Sequence, residues 1–205
     1  LGNLSNKTIA IQGFGNVGIY FAQALVDEPN LRLVAATDSQ GGVYDPSGLA
    51  VQQLIDFKNT GSRIAKFKAK QTITNSELLA LDVDVLVLAA LGDVLDGQNV
   101  STVRAKVILE LANGPLNSHA YEHLTAAGHV IVPDIIANAG GVVVSYLEWL
   151  QNKQNEHWSL KRVNKELEAY LQKAAKEMFG YSQLNKVSLK DAAYALAIKK
   201  LINEV

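Results

Sequence analysis

The chain has 205 residues, of which 19 are basic and 20 are acidic, and it contains four histidines and no cysteine. The absence of cysteine excludes a disulfide framework, a thiolate nucleophile and a metal site built on sulfur. A net charge of -1 argues against a nucleic-acid-binding protein, which normally has a strongly basic surface. With 48% hydrophobic and 19% charged residues, the composition is that of a folded globular protein.

Short apolar runs alternate with longer helix-like segments along the first two thirds of the chain. The apolar runs contain few polar residues, which is typical of parallel strands covered on both faces. We therefore predict a doubly wound α/β fold of the Rossmann type, with a parallel sheet, helices on both faces and a helical carboxy-terminal segment. The predicted strands are 8–11, 31–36, 83–88, 106–109 and 129–132, with a weak edge strand at 69–73, and the predicted helices are 16–27, 48–59, 75–81, 99–104 and 118–127.

From residue 140 onward nearly every segment predicts helix. Leu and Val recur three or four residues apart, most simply as a stripe that faces a core, although a helical scaffold that docks a partner has the same pattern. Ser188 and Asp191 resemble a capping box at the start of a final helix that runs to Leu201. We expect one domain over residues 1–205, with a sheet-and-helix core at 1–135 and carboxy-terminal helices at 136–205.

A glycine motif lies between the first predicted strand and the first predicted helix. Gly13 permits a tight turn, Gly15 lets a pyrophosphate approach the backbone, and Gly18 lets the helix pack closely on the strand. The helix amino terminus presents free N–H groups to phosphates. Asp38 follows Gly18 by 20 residues, the spacing expected of a carboxylate that binds an adenosine ribose. The motif predicts dinucleotide binding, and the alternative is a glycine turn without a ligand.

Asp38 also indicates which cofactor is bound. A carboxylate accepts hydrogen bonds from ribose hydroxyls and repels a 2′-phosphate. No Lys or Arg occurs between Ser39 and Phe57 to neutralise that phosphate. We therefore expect NAD rather than NADP. In the alternative interpretation Asp38 only caps the turn at Gly41 and Gly42.

Small and polar residues follow the later strands, whose carboxyl ends face the ligand crevice in this fold class. Ala89 and Ala90 leave room for a ribose or a base. Asn113 can hydrogen-bond a ribose, and it fits equally well as a turn-forming residue before glycine. Asn138 precedes a long helix, and Ser145 lies on its first turns, where local chemistry favours a solvent-exposed serine over a ligand.

The sequence lacks the motifs of several other classes of protein. There is no Gly-x-Ser-x-Gly turn and no phosphate loop ending in Gly-Lys-Ser/Thr. His119 and His123 are four residues apart, but no third ligand is suggested, so we expect surface residues rather than a metal site. The longest apolar run, 83–91, is far shorter than the ~20 residues of a spanning helix. Residues 1–7 lack a signal pattern, and we predict a cytoplasmic protein.

Four motifs in order along the chain resemble the carboxy-terminal, coenzyme-binding domain of glutamate dehydrogenase, in the Glu/Leu/Phe/Val dehydrogenase family. They are AIQGFGNVG at 10–18, YDPSGL at 44–49, ANGP at 112–115 and PDIIANAGGVVVSYLEW at 133–149. The resemblance extends over essentially the whole chain. The leucine, phenylalanine and valine dehydrogenases share the glycine motif and Asn-Ala-Gly-Gly, but they differ from this chain at 112–115 and 145–149.

The resemblance implies oxidative deamination of L-glutamate to 2-oxoglutarate and ammonia, with hydride transfer to NAD or NADP. It implies that Ser145 binds the side-chain carboxylate of glutamate, that Val142 packs against the substrate stem and that Asn138 holds the nicotinamide carboxamide. The remaining implied cofactor residues are Gly13, Phe14, Gly15, Asn16 and Val17 for the pyrophosphate, Asp38 and Ser39 for the adenosine ribose, Ala89 and Ala90 for the groove, and Asn113 for the nicotinamide-side ribose.

The family's catalytic Lys and Asp belong to an amino-terminal domain, and this sequence contains no segment like it. We therefore expect no catalytic residue in the chain, cofactor binding without turnover by the chain alone, and an amino-terminal catalytic domain as its partner. The family also implies a hexamer. The alternative is a non-catalytic NAD-sensing regulatory domain, which would use the glycine motif equally well but would not need the stretch 138–149.

Overall fold

The computed structural model describes residues 6–203. Most of the segment 1–7, which lacks a signal pattern, lies outside the described residues. The chain divides into two units, one up to Ile131 and one from Val132 onward. The first is a sheet with helices, and the second is helical. The single domain over residues 1–205 stays a prediction. Within the described range, no helix combines the length and the apolar character needed to cross a membrane.

One sheet contains the strands of residues 6–203. They are β1 (Lys7–Gln12), β2 (Leu31–Asp38), β3 (Gly41–Tyr44), β4 (Gln71–Ile73), β5 (Val85–Leu88), β6 (Val107–Glu110) and β7 (Val130–Val132). Their order across the sheet is β4-β3-β2-β1-β5-β6-β7. β1 pairs in parallel with both β2 and β5, and β5 pairs in parallel with β6. The order of the strands therefore reverses between β1 and β5, where open α/β sheets bind their ligands.

The predicted doubly wound α/β fold is confirmed, and one edge of the sheet differs from the predicted parallel arrangement. β3 pairs antiparallel with β2, and β4, the predicted edge strand, pairs antiparallel with β3. β3 is not predicted because Gly41 and Gly42 make up half of it, and glycine is uncommon in strands. Gly42 is required there because a Cβ would overlap the carbonyl oxygen of Ala36 on the neighbouring strand.

The helices of the first unit are α1 (Asn16–Leu25), α2 (Val51–Asn59), α3 (Asn75–Leu79) and α4 (Ser118–Ala126). α2 begins three residues after its predicted start because Gly48 has φ +107°, which belongs to a turn and not to a helix. The helix predicted at 99–104 is only a 3-10 turn, Val100–Thr102, and a second 3-10 turn spans Ile64–Lys66.

Both faces of the sheet are buried. Ile11 of β1 belongs to a core that includes Leu25 of α1 and Leu54 of α2. Its neighbour Ala10 belongs to a second core, with Leu78 of α3. Successive strand residues thus contribute to opposite cores, which explains why the strands contain so few polar side chains. A ligand site is therefore expected at the edge of the sheet formed by the carboxyl ends of its strands.

The second unit consists of α5 (Asp134–Ala137), α6 (Gly140–Gln154), α7 (Leu160–Asn185) and α8 (Leu189–Asn203), and α7 packs against both α6 and α8. The predicted cap of the last helix is confirmed, since the Ser188 hydroxyl accepts a hydrogen bond of 3.1 Å from the backbone N–H of Asp191. The predicted apolar stripe is right for Leu147, which is 1% exposed, and wrong for Leu160, which is 75% exposed at the first position of α7.

Candidate cofactor site

The glycine turn between β1 and α1 is held by the end of β2. The backbone N–H groups of Gly13 and Phe14 donate to the carbonyl oxygen of Thr37, at 3.0 and 2.8 Å. Gly13 has φ +94°, and a Cβ there would lie 2.6 Å from the Cβ of Ala90. Only glycine therefore fits at the first position of the motif, because both the backbone conformation and the space require it.

The other two glycines of the motif have different surroundings. A Cβ on Gly18 would overlap the carbonyl oxygen of Gly13, so glycine is needed for close packing of α1 on β1, as predicted. A Cβ on Gly15 would meet nothing within 4 Å, and its φ of -89° suits any residue. The chain itself therefore does not require glycine at position 15. The space beside Gly15 is open, as the approach of a ligand to the backbone would require.

The amino terminus of α1 has no side-chain cap among the described residues, whereas Thr74 caps α3 and Asn117 caps α4. The first N–H groups of a helix have no intrahelical partner, and the helix dipole is positive at that end. Gly15, Asn16 and Val17 are exposed there. This terminus is suited to an anion such as a diphosphate.

Phe14, at the second position of the turn, cannot contribute in the same way. Its side chain is fully buried in the core, and its N–H group already donates to Thr37. Of the five residues predicted to hold a pyrophosphate, Gly13 and Phe14 therefore shape the turn, while the next three are exposed.

Asp38, at the end of β2, is surrounded by hydrogen-bond donors. Its Oδ1 accepts from the backbone N–H of Gln40 at 2.9 Å, and its Oδ2 accepts from Lys58 Nζ at 2.7 Å and from the Ile64 N–H at 3.3 Å. Burial raises the pKa of Asp38, but the Lys58 ammonium and the two N–H groups outweigh burial and hold that pKa below its ordinary value. An ionised carboxylate has about four acceptor positions, so about one remains for a ligand.

Lys58 is the residue that the sequence analysis missed beside Asp38. It directly follows the interval 39–57, which has no Lys or Arg, and it lies near the end of α2. A cation therefore lies beside Asp38, although the interval 39–57 contains none. The local turn role of Asp38 is also present, because its carboxylate accepts from Gln40 two residues later. Neither role excludes ribose binding.

The small residues after β5 adjoin the glycine turn. The N–H of Ala89 donates to the carbonyl oxygen of Gln12 at 2.8 Å, and Ala90 is exposed beside Gly13. Asn113 is exposed in the loop after β6, where a Cβ on Gly92 would lie 3.3 Å from its carbonyl oxygen. The loops after β5 and β6 therefore meet at the carboxyl edge. Ser39 is exposed beside Asp38.

The buried polar side chains of residues 6–203 are those of Gln12, Thr37 and Glu110. Gln12 is paired with Thr37 in the register of β1 and β2, and both Gln12 and Glu110 are paired with Leu88 of β5. The three side chains thus form one row across the carboxyl ends of the strands. Burying polar groups is costly, so their grouping under this edge makes it a candidate functional region.

The remaining predicted site residues lie in the second unit. Asn138 follows α5, and its backbone N–H donates to the backbone carbonyl oxygen of Asp134 at 3.0 Å. Val142 is 75% exposed, and Ser145 is also exposed. They are three residues apart on the first turns of α6, so they share one helix face.

The two histidines of α4 stack, with ring centroids 6.5 Å apart. Over residues 6–203, no group of three or more His, Cys, Asp or Glu side chains is arranged to hold a metal ion.

A sheet whose strand order reverses beside a glycine turn, with helices on both faces, defines the first unit as a Rossmann-type α/β fold. The sequence pattern of the Glutamate/Leucine/Phenylalanine/Valine dehydrogenase family matches residues 1–205, and the chain belongs to that family. The resemblance predicted from the four sequence motifs is confirmed.

Individual relatives agree with this assignment. A glutamate dehydrogenase of Thermotoga maritima is 42% identical over 194 residues, which cover 95% of this chain and 47% of that protein. An NADP-specific glutamate dehydrogenase of Synechocystis is 40% identical and is covered over 48% of its length by 96% of this chain. The crystal structure of a hetero-hexameric glutamate dehydrogenase from Thermus thermophilus (Leu bound form) matches with a TM-score of 0.88 and 31% identity, over 99% of this chain and 48% of that one. The chain spans about half the length of these relatives.

Proposed function

We propose that this chain is the cofactor-binding half of an NAD(P)-dependent glutamate dehydrogenase. The observation that carries the proposal is the strand–turn–helix junction at Gly13 and Gly15, where a Cβ on Gly15 would meet no other atom within 4 Å. It lies at the uncapped amino terminus of α1, where backbone N–H groups suit a diphosphate. The glutamate dehydrogenases among its relatives support glutamate as the substrate.

The adenosine half of the cofactor is bound by the glycine turn together with the end of β2. Gly15, Asn16 and Val17 offer backbone N–H groups to the pyrophosphate. The remaining acceptor position of Asp38 takes a ribose hydroxyl, with Ser39 beside it.

The choice between NAD and NADP depends on two opposed charges. The Asp38 carboxylate repels a 2′-phosphate, which is the basis of the predicted preference for NAD. Lys58 neutralises that carboxylate and brings an ammonium group to the same position, which favours NADP as the second candidate. The name of the Synechocystis relative supports NADP as well. We propose that the chain binds nicotinamide cofactors of both kinds, and the preference for NAD stays a prediction.

The nicotinamide half and the substrate are assigned by resemblance to the family. Ala89 and Ala90 leave room in the groove, Asn113 contacts the nearby ribose, and Asn138 holds the carboxamide. On α6, the substrate residues are Val142, against the stem of glutamate, and Ser145, on its side-chain carboxylate.

The bound cofactor supplies the hydride acceptor, and the residues of this chain bind and orient it. The groups that move protons belong to an amino-terminal domain, in keeping with relatives about twice as long as this chain. We propose that the chain alone binds cofactor without turning over glutamate, and that the complete enzyme is a homo-oligomer. The Thermus relative, named as hetero-hexameric, supports an oligomer. The cytoplasmic location stays a prediction.

Calorimetry of the 205-residue chain with NAD and NADP up to millimolar concentration tests the proposal. We expect saturable binding of at least one cofactor and no glutamate turnover by the chain alone. Absence of binding by both cofactors contradicts the assigned function. Turnover by the chain alone contradicts the division of labour between two domains. Binding together with an inactive full-length protein identifies the alternative, a cofactor-sensing domain.

A further inference from the structure

Asn75, the first residue of α3, hydrogen-bonds the end of β2. Its Nδ2 donates to the carbonyl oxygen of Asp38 at 2.9 Å, and its Oδ1 accepts from the hydroxyl of Thr37 at 2.7 Å. The two bonds use opposite ends of the amide, one as donor and one as acceptor, so they define its orientation. Asn75 is 37 residues from Asp38 and is not among the site residues predicted from the sequence.

The segment that Asn75 holds is also the segment that holds the glycine turn. The carbonyl oxygen of Thr37 accepts both Gly13 N–H and Phe14 N–H. The next residue, Asp38, carries the carboxylate proposed for the ribose. Two adjacent residues of β2 therefore connect the proposed pyrophosphate site with the proposed ribose site, and Asn75 bonds to both of them.

Asn75 is itself anchored. Thr74 and Glu77 form a complete capping box around the start of α3, in which each side chain bonds the backbone of the other. Leu78 and Leu79 of the same helix are buried in a core shared with β5 and β6. Because the helix is held at its start and along its apolar side, Asn75 is a rigid support for the end of β2.

We propose that Asn75 is a positioning residue for cofactor recognition, which holds the Thr37–Asp38 segment so that the glycine turn and the Asp38 carboxylate bind one dinucleotide together. The inference rests on the proposed function. It also assigns a role to Thr37, whose side chain is fully buried and whose hydroxyl needs a partner inside the protein.

A positioning role and a merely structural role differ in their effect on cofactor selectivity. Either role predicts lower stability when Asn75 is replaced, because the buried Thr37 hydroxyl loses its partner. Only positioning through Asp38 predicts a larger loss for NAD than for NADP. The Asp38 carboxylate can hydrogen-bond a free 2′-hydroxyl, whereas it gains nothing from a 2′-phosphate.

The experiment measures dissociation constants for NAD and NADP, by calorimetry on the 205-residue chain, together with melting temperature. We expect Asn75→Ala to weaken NAD binding by about tenfold, as for the loss of the proposed hydrogen bond between the Asp38 carboxylate and the ribose. NADP binding should weaken by clearly less. Thr37→Val, which leaves the Asn75 bond to Asp38, should weaken NAD binding less than Asn75→Ala does.

Thr8→Val is the matched control for Thr37→Val. Thr8 lies on β1 at the opposite end of the sheet, where its hydroxyl bonds Asp84. We expect this variant to melt at a lower temperature with both dissociation constants unchanged.

An unchanged ratio of the two dissociation constants in a folded Asn75→Ala variant overturns the inference, even if the protein is less stable. If Asn75→Ala does not fold, Asn75→Ser replaces it, because the shorter side chain does not reach both the Thr37 hydroxyl and the Asp38 carbonyl. The ratio of the NAD and NADP dissociation constants then decides. A wild-type chain that binds neither cofactor overturns the proposed function and this inference with it. A wild-type chain that binds, with variants that bind identically, overturns only the role of Asn75.

Discussion

The ammonium group of Lys58 donates a hydrogen bond of 2.7 Å to the Asp38 carboxylate, and the two side chains are 25% and 12% exposed. Asp38 ends β2, and Lys58 lies near the end of α2, 20 residues further along the chain. The carboxylate expected to repel a 2′-phosphate is therefore neutralised by a neighbour that attracts one. For the proposed cofactor site, we therefore expect selectivity between NAD and NADP to depend on both members of the pair and not on Asp38 alone.

Removal of the cation tests this balance. In Lys58→Gln, Asp38 keeps its charge and loses its counterion, so we expect the dissociation constant for NADP to rise by about tenfold relative to that for NAD, as for loss of a charge-assisted hydrogen bond. Asp38→Gly should shift the ratio in the opposite direction and weaken the preference for NAD. Calorimetric titration with the two cofactors measures both effects.

Lys106→Gln is the matched control for Lys58. Lys106 pairs with Asp84 at 3.2 Å and is 74% exposed, away from the glycine turn. We expect its removal to leave both dissociation constants unchanged. If Lys58→Gln and Asp38→Gly leave the ratio unchanged as well, another group decides the selectivity.

The glycine motif offers a second test, because two of its glycines have opposite requirements. Gly18→Ala places a Cβ against the carbonyl oxygen of Gly13, so we expect a loss of stability of about 1–3 kcal/mol, typical of overpacking. Gly15→Ala meets open space, so we expect stability within about 1 kcal/mol of wild type and clearly weaker cofactor binding. Denaturant unfolding and calorimetry separate the two effects. Cofactor binding that Gly15→Ala leaves intact would place the diphosphate elsewhere.

The lowered pKa of Asp84 predicts how the stability of the fold depends on pH. Asp84 accepts hydrogen bonds from the N–H and hydroxyl of Thr8, and from Lys7 and Lys106 at 3.3 and 3.2 Å. The Thr8 N–H is the largest influence and, with the hydroxyl and the two lysines, outweighs burial and lowers the pKa of Asp84 from 3.8 to about 2. Because the folded-state pKa is depressed, the stabilisation is complete above about pH 4 and is lost as pH falls through 2.

The corresponding variant is Asp84→Asn. We expect it to be less stable than wild type by about 1–2 kcal/mol near neutral pH, with the difference vanishing near pH 2. Urea unfolding at a series of pH values measures the difference. Asp82→Asn, at an exposed position two residues earlier, should follow the wild-type curve. A constant difference between Asp84→Asn and wild type at all pH values would show that the charge of Asp84 is not responsible.

A variant at Ser145 tests the proposed substrate site, in the proposed full-length enzyme that also contains the amino-terminal domain. Ser145 is exposed on the first turns of α6, and its hydroxyl is proposed to bond the side-chain carboxylate of glutamate. We expect Ser145→Ala to raise KM for glutamate by roughly tenfold or more, as for a hydrogen bond to a charged group, with little change in KM for the cofactor. Ser182→Ala, whose hydroxyl bonds the Val187 carbonyl within the same unit, is the control and should leave both values unchanged. Equal changes in the two KM values would remove the assigned role of Ser145.

The sequence by itself determined those features that depend on near neighbours along the chain. The period of apolar residues predicted most of the strands and helices. The cap of α8 was evident in Ser188 and Asp191, and the spacing of Gly13, Gly15 and Gly18 predicted the turn before α1. Asp38 was identified by its spacing of 20 residues from Gly18, just after the strand predicted at 31–36, and β2 extends to Asp38 itself. These features need no knowledge of the rest of the fold.

Only the tertiary structure decided which distant groups meet. Lys58 and Asn75 reach the end of β2 because α2 and α3 bring them there, 20 and 37 residues away from Asp38. The antiparallel β3 depends in the same way on pairing with β2, which overrides the low strand propensity of Gly41 and Gly42. The physical reason is that a hydrogen bond requires two groups about 3 Å apart, and for residues so far apart in sequence that distance is set by the packing of the whole unit.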